Sequence, residues 1–203
     1  MTVNDENLSA LNGRKIGFAL CGSFCTFEKA FTAMERLVSL GAELTPIMSF
    51  NAYSADTRFG TAESMRMRAE NICGKEIIAT IEAAEPIGPK KMFDLLICAP
   101  CTGNTVSKLA CDIIDTPVTM AVKSHLRNGS PVLIAVSTND ALSAAAENIG
   151  KLLSRRSYYF VPFGQDNPQA KPASAVADFS EIPAAAAAAL EGRQLRPVIK
   201  SYT

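Results

Sequence analysis

The feature that most constrains this chain is a buried strand that runs straight into a capped helix. Residues 95–99, Leu-Leu-Ile-Cys-Ala, have the length and aliphatic content of a strand covered on both faces, and Pro100 is expected to stop it. Thr102, Gly103, Asn104 and Thr105 then open a helix. Thr and Asn side chains cap helix starts, the free N–H groups of a first turn carry about half a positive charge, and Gly103 allows a close backbone approach. A strand covered on both faces demands a sheet between helix layers. The loop behind it suits a phosphate or a polar cofactor edge, and equally an ordinary well-capped strand-to-helix turn.

The same alternation repeats along the chain. Residues 15–21 read as a first strand, and residues 27–40 as a helix with Phe27, Ala30, Phe31, Met34, Leu37 and Val38 on one face, stopped by Gly41. A second strand is expected over 43–50, helices over 61–72 and 75–82, and a turn at Glu85-Pro86-Ile87-Gly88-Pro89. Further helices are expected over 118–127 and 141–153, with strands over 131–137 and 158–163. The alanine run 183–190, with Pro183 in its first turn, reads as a closing helix. Together these elements predict an α/β fold: a three-layer, doubly wound parallel sheet, flavodoxin- or Rossmann-like, in a single domain spanning 1–203 with a flexible stretch at 1–10.

Composition narrows the partners. Of 203 residues 48% are hydrophobic, enough for one sizeable core, and 20 Lys and Arg balance 20 Asp and Glu. Bulk charge therefore suggests neither nucleic acid nor a membrane surface, and a small molecule is the expected partner. No apolar run is long enough to cross a bilayer, and the polar start from Thr2 to Asn7 resembles neither a signal nor a transit peptide. The expected location is cytoplasmic, with the six cysteines reduced.

In a doubly wound sheet ligands sit beyond the carboxyl ends of the strands, so the loops there hold the candidates. The first, Cys21-Gly22-Ser23-Phe24-Cys25-Thr26, offers a tight turn and two hydroxyls but lacks the G-x-G-x-x-G fingerprint. The second, Met48-Ser49-Phe50-Asn51, lacks the acidic residue that would hold a ribose diol. Both absences argue against a dinucleotide on this chain and favour a mononucleotide. Ser137-Thr138-Asn139-Asp140 is again small and polar before a helix, and residues 162–168, after the last strand, form a loop that could close over the site.

The block Pro100-Cys101-Thr102-Gly103-Asn104-Thr105-Val106-Ser107-Lys108-Leu109-Ala110 resembles the P-A-S-A-N-T-x-A-K-L-A motif of flavoproteins related to the flavin-dependent cysteine decarboxylases, and Gly22-Ser23 resembles their G-S loop. Thr57-Arg58-Phe59-Gly60, Glu85 to Lys90, Ser137 to Leu142 and Pro162 to Pro168 add a similarity to one branch of that family, the B subunits of dipicolinate synthases. The resemblance covers residues 11–202. It implies an oxidoreductase complex that forms dipicolinate from a hydroxylated tetrahydrodipicolinate during sporulation, in the mother cell. A dehydrogenase-like A subunit would carry NAD(P), and this chain would bind FMN and form a homo-oligomer. Carried over by position, the cofactor residues would be Gly22, Ser23, Ser49, Pro100, Thr102, Gly103, Asn104, Thr105 and Ser137, with Asn139 as a catalytic residue at the ring or substrate.

The chain also departs from that pattern. The decarboxylases carry a histidine before the strand that leads into the motif, whereas residues 87–94 hold none, and Ser137-Thr138-Asn139 replaces their A-M-N. Decarboxylation is therefore not expected. The single histidine, His125, reads as a helix-surface or packing residue. A dicarboxylate substrate needs cations. Arg58, beside an aromatic and a glycine, is the first candidate, ahead of Lys90, Lys91, Lys123 and Arg127. The cysteines offer a rival reading, in which Cys21, Cys25, Cys98 and Cys101 gather around zinc or an iron–sulfur cluster, but their spacings differ and no metal is expected. A thioredoxin-like use of Cys98 and Cys101 fits less well, since the first cysteine lies in the strand.

Overall fold

The computed structural model describes residues 5–201. Five strands form its parallel core: β1 (Lys15–Leu20), β2 (Glu43–Met48), β3 (Leu95–Cys101), β4 (Val132–Thr138) and β5 (Tyr158–Phe160), in the order β2-β1-β3-β4 with β5 beside β4. β3 is buried along its whole length, as its apolar run demands. Helix α1 (Phe27–Ser39) and α8 (Ile182–Leu190) pack together on one face, and α5 (Gly103–Ala110), α6 (Pro117–Leu126) and α7 (Ala146–Ser154) cover the other. The order reverses at β1, which has β2 on one side and β3 on the other, so the switch point at which doubly wound sheets bind ligands lies between the β1 and β3 loops. Alanine makes up most of α8 because the helix lies between β3, β4, β5 and α1, where only a small side chain fits on nearly every face.

Several elements differ from expectation. The sheet is not wholly parallel: β6 (Phe163–Gly164) and β7 (Ala175–Ala177) form an antiparallel extension, with β7 paired to the end of β4. Pro162 separates β5 from β6, which divides the single strand expected at 158–163. Pro100 does not stop β3. It follows a cis Ala99–Pro100 bond, and the strand continues to Cys101 with a register shift against β4.

The helix expected at 75–82 is largely extended. Gly74, in the left-handed region, ends α3 (Ala62–Cys73), and the chain then runs along the outer edge of β2. There Ile78 pairs with Ile47, donating to Pro46 at 2.9 Å and accepting from Met48 at 3.0 Å. Only the short α4 (Ile81–Ala84) is helical. The second strand stops at Met48 because Ser49 caps α2 (Phe50–Ser54), and α7 starts five residues later than expected, after turns at 141–145. Of the flexible start expected at 1–10, residues 1–4 lie outside the described residues. Asp5–Leu11 is a 3-10 helix that packs on α8 with Leu8 and Leu11 buried.

Candidate functional site

Local chemistry places three hydroxyls together at the carboxyl edge. Ser23 follows β1, and Thr26 precedes α1 with its hydroxyl donating to the Ser23 carbonyl at 2.8 Å. Ser137 is the penultimate residue of β4. Its Oγ stands 2.8 Å from that of Ser23 and 3.4 Å from that of Thr26. Thr26 and Ser137 are buried, so this polar cluster is satisfied within itself. It ties together loops 114 residues apart.

Beside it, Ser49 N–H donates to the Leu20 carbonyl at 3.0 Å while its Oγ accepts from Ala52 N–H at 3.3 Å. The β2 loop is thereby held against the end of β1. Gly22 faces that loop; a methyl there would meet Asn51 Cβ at an ordinary 3.6 Å. Cys21 N–H bonds the Pro100 carbonyl at 3.2 Å and joins β1 to the β3 loop.

At the end of β3, Thr102 caps α5, accepting from Thr105 N–H at 3.3 Å. Gly103 also has a packing purpose. A Cβ there would stand 2.6 Å from Asp140 Oδ1 and 2.7 Å from Thr138 Oγ1, so the glycine makes room for the β4 loop. Asp140 and Thr138 are themselves hydrogen bonded. Asn104 and Asn139 are both exposed, and neither amide is engaged by another described residue. They leave two free amides at this edge.

A cleft of about 1000 Å³ opens from this cluster along α1. Ser23, Thr26, Ser137 and Asn139 form one end, Lys29, Thr32 and Arg36 one wall, and the β6–β7 hairpin with Lys200 the other. Of the expected residues, Ser23, Ser137 and Asn139 line this cleft; Gly22, Ser49, Pro100 and Thr102 to Thr105 gather at the neighbouring strand ends and do not. Arg58 sits on an exposed turn outside it, its guanidinium 4.9 Å over its own Phe59 ring, and Lys90, Lys91, Lys123 and Arg127 also lie elsewhere. The residues missed by sequence reasoning are Lys29, Thr32 and Arg36. Their spacing marks the polar side of an amphipathic helix, and nothing in one helix tells what its polar side will face.

His125 is buried rather than on the helix surface. It sits within hydrogen-bonding distance of the Pro131 carbonyl at 3.0 Å at the opposite, amino edge of the sheet. Burial lowers its pKa, against a smaller upward pull from that carbonyl and Asp94. Among the cysteines, Cys25 is exposed while Cys21, Cys98 and Cys101 are buried. Hydrogen bonds donated by its S–H to Cys21 and Cys98, reinforced by burial, hold the Cys101 thiol well above its ordinary range, so it stays protonated. Among the described residues no group of three or more His, Cys, Asp or Glu side chains is placed to hold a metal ion. Apart from the Asp140 carboxylate beside Gly103, the edge offers a neutral set of hydroxyls and amides. Such a set suits a phosphate and the polar rim of a ring.

The chain matches the family model described as Flavoprotein over residues 4–189. It is 44% identical to the B subunit of dipicolinate synthase from Bacillus subtilis (strain 168) over 192 residues, covering 95% of this chain and 96% of that protein. The crystal structure of the corresponding dipicolinate synthase B subunit from Bacillus halodurans C superposes with a TM-score of 0.87 at 42% identity, over 95% of this chain and 99% of that one. DmrB of Burkholderia xenovorans, solved in complex with FMN, shares the fold alone: a TM-score of 0.64 at 16% identity, over 85% and 93% of the two chains.

Proposed function

Since the chain belongs to the flavoprotein family, we propose that it is the FMN-binding B subunit of an oxidoreductase that forms dipicolinate from a hydroxylated tetrahydrodipicolinate. The observation that carries this reading is the Ser23, Thr26 and Ser137 cluster, which joins the β1 and β4 loops at the mouth of a large cleft. A strand order that reverses at β1 puts that mouth where doubly wound folds bind ligands.

In this reading Gly22, Ser23 and Ser49 surround the phosphate, where β1 and β2 end side by side. Pro100, Thr102, Asn104, Thr105 and Ser137 line the ring, and Gly103 contributes by letting the β4 loop close on α5. When bound, FMN supplies a ring that accepts or returns an electron pair with a proton. The chain's part is to fix that ring and tune it by hydrogen bonds from neutral donors. Asn139, with its free amide on the cleft, would orient the substrate. It has no proton to give or take at neutral pH, and no histidine lines this edge.

The second strand ends without an acidic residue, so NAD(P) would be carried by a dehydrogenase-like A subunit. No helix among the described residues is long and apolar enough to cross a membrane. The proposed setting is the cytoplasm of a sporulating mother cell. Leu142 and Leu153 remain exposed and are available for association with further copies of the chain.

The test is the visible spectrum of the protein after FMN addition and gel filtration. Flavin retained near one per chain, and lost in folded Ser23→Asp and Asn104→Asp variants, supports the cofactor site. No retained flavin moves the reading to a noncatalytic partner that stabilises the dehydrogenase. Arg58 is the sequence-based candidate for the substrate cation. Unchanged substrate affinity of the reconstituted complex in Arg58→Ala would remove that assignment.

A further inference from the structure

Building on that reading, we infer that the cleft along α1 holds the substrate by its two carboxylates, with Lys29 and Arg36 as the positioning cations. They lie on one side of α1, seven residues or about 10 Å apart along the axis. Among the described residues neither makes an ion pair or a side-chain hydrogen bond. The other two cations of the cleft are already engaged, Lys171 with Asp166 at 3.4 Å and Lys200 with Asp178 at 2.5 Å.

The acidic neighbours on α1 do not quench the pair. Glu28 and Glu35 both turn to Arg68, at 2.7 and 3.7 Å. Among the described residues the cleft carries four cations against two carboxylates, and both carboxylates are taken, so an incoming anion meets unscreened Lys29 and Arg36. Between the two charges Thr32 shares the α1 wall with Ala33, and Val176, Ala177, Phe179 and Pro183 add apolar lining. Cations beside a largely apolar surface fit a flat ring that bears carboxylates, and arginine can grip one of them with two parallel hydrogen bonds. At about 1000 Å³ the cleft reaches the top of the usual ligand-pocket range of roughly 300–1,000 Å³, and it ends at Ser23, Ser137 and Asn139. A ring held there lies next to the residues proposed for the cofactor.

A phosphate would also be drawn to two free cations, and the experiment separates the sources. Dipicolinate, picolinate with its single carboxylate, inorganic phosphate and FMN are each titrated by calorimetry into the whole chain and into Lys29→Gln, Arg36→Gln and Arg58→Ala. Dipicolinate should bind the wild type and weaken about tenfold in Lys29→Gln and in Arg36→Gln, the scale of one charge-assisted hydrogen bond. Its advantage over picolinate should shrink in the same two variants, while FMN affinity stays within about twofold of wild type.

Failure of the wild type to bind dipicolinate overturns the inference. So do unchanged dipicolinate affinity in both α1 variants, a loss confined to Arg58→Ala, or a loss of FMN or phosphate binding in place of dipicolinate. Dipicolinate binding that depends on Lys29 and Arg36 without any FMN binding upholds the inference and defeats the cofactor reading.

Discussion

Gly88→Ala should destabilise the protein by about 3 kcal/mol while leaving the site intact. A Cβ on Gly88 would stand 2.7 Å from Arg127 Cδ and 2.8 Å from Ser124 Oγ, and closer still to the Ser124 carbonyl oxygen. Real Cβ contacts essentially never fall below 3.0 Å, and the nearest obstacle is helix backbone rather than a side-chain tip. Either α6 gives way by roughly an ångström, at an overpacking cost of about 1–3 kcal/mol, or the turn lifts off. Lifting breaks the Gly88 N–H bond to Ser124 Oγ at 2.8 Å, the Asn128 bond to the Gly88 carbonyl at 2.8 Å, and the Ser124 bond to the Glu85 carbonyl at 2.5 Å. Each contributes about 1 kcal/mol net. For a chain of this length the loss corresponds to a fall in Tm of about 10 °C, measured by circular dichroism or calorimetry. The turn lies at the amino edge of the sheet, where β3 and β4 begin, so flavin retention well below Tm should match wild type. A fall in Tm under about 2 °C would refute the steric argument. Flavin loss in the cold, folded variant would refute the separation of this edge from the site.

Two further predictions rest on the same structure. Gly150 lies inside α7, exposed, with nothing within 4 Å of an added Cβ, so Gly150→Ala should raise stability by about 1 kcal/mol in urea unfolding. A lower midpoint would show that the helix is strained there. His125, whose pKa is lowered by burial, binds its proton more readily in the unfolded chain than in the folded one. Its contribution is therefore fully present above the unfolded value near 6.5 and is lost as pH falls through that value toward the lower folded one. The urea midpoint should drop between pH 7.5 and 5.5, and by less in His125→Gln, whose amide can still donate to the Pro131 carbonyl. Equal drops in the two proteins would remove His125 from the account.

The core of the fold was legible because its signals are long and periodic. β3 announces itself by an unbroken apolar run, α1 by its apolar stripe, and α8 by alanine with an early proline. What escaped was short or set by distant partners. β6 and β7 are two and three residues long, too short for alternation to register, and residues 75–80 became extended because the free edge of β2 at Pro46 and Met48 offered them hydrogen bonds. The same division holds at the site. Loop chemistry pointed to Ser23, Asn104, Ser137 and Asn139, since polar residues at strand ends are visible in one dimension. The pairing of Ser23 with Ser137 is a property of the closed sheet, and nothing along α1 singles out Lys29 and Arg36, because their opposite wall is the β6–β7 hairpin. The Glu85 to Lys90 motif, one of the marks of family resemblance, proved to be a packing device around Gly88.

The β3 loop shows how a correct local reading can lead to a different chemical role. Thr102, Gly103 and Asn104 do open a helix whose first turn favours negative charge, which left a phosphate and a polar cofactor edge both open as its guest. The structure supplies that charge from within: the Asp140 carboxylate is packed against Gly103 at the start of α5, where only a glycine leaves it room. A phosphate arriving at the same turn would meet a like charge a few ångströms away. At the ends of β1 and β2, Ser23 and Ser49 bring no such carboxylate. The β3 loop is thus better matched to a neutral partner, a ring edge that the free Asn104 amide can bond, and the anionic end of a cofactor is better matched to the Gly22, Ser23 and Ser49 side. If that division holds, Asp140→Asn should alter the contacts of the ring and the stability of α5 more than it alters phosphate affinity, because the charge it removes belongs to the helix start.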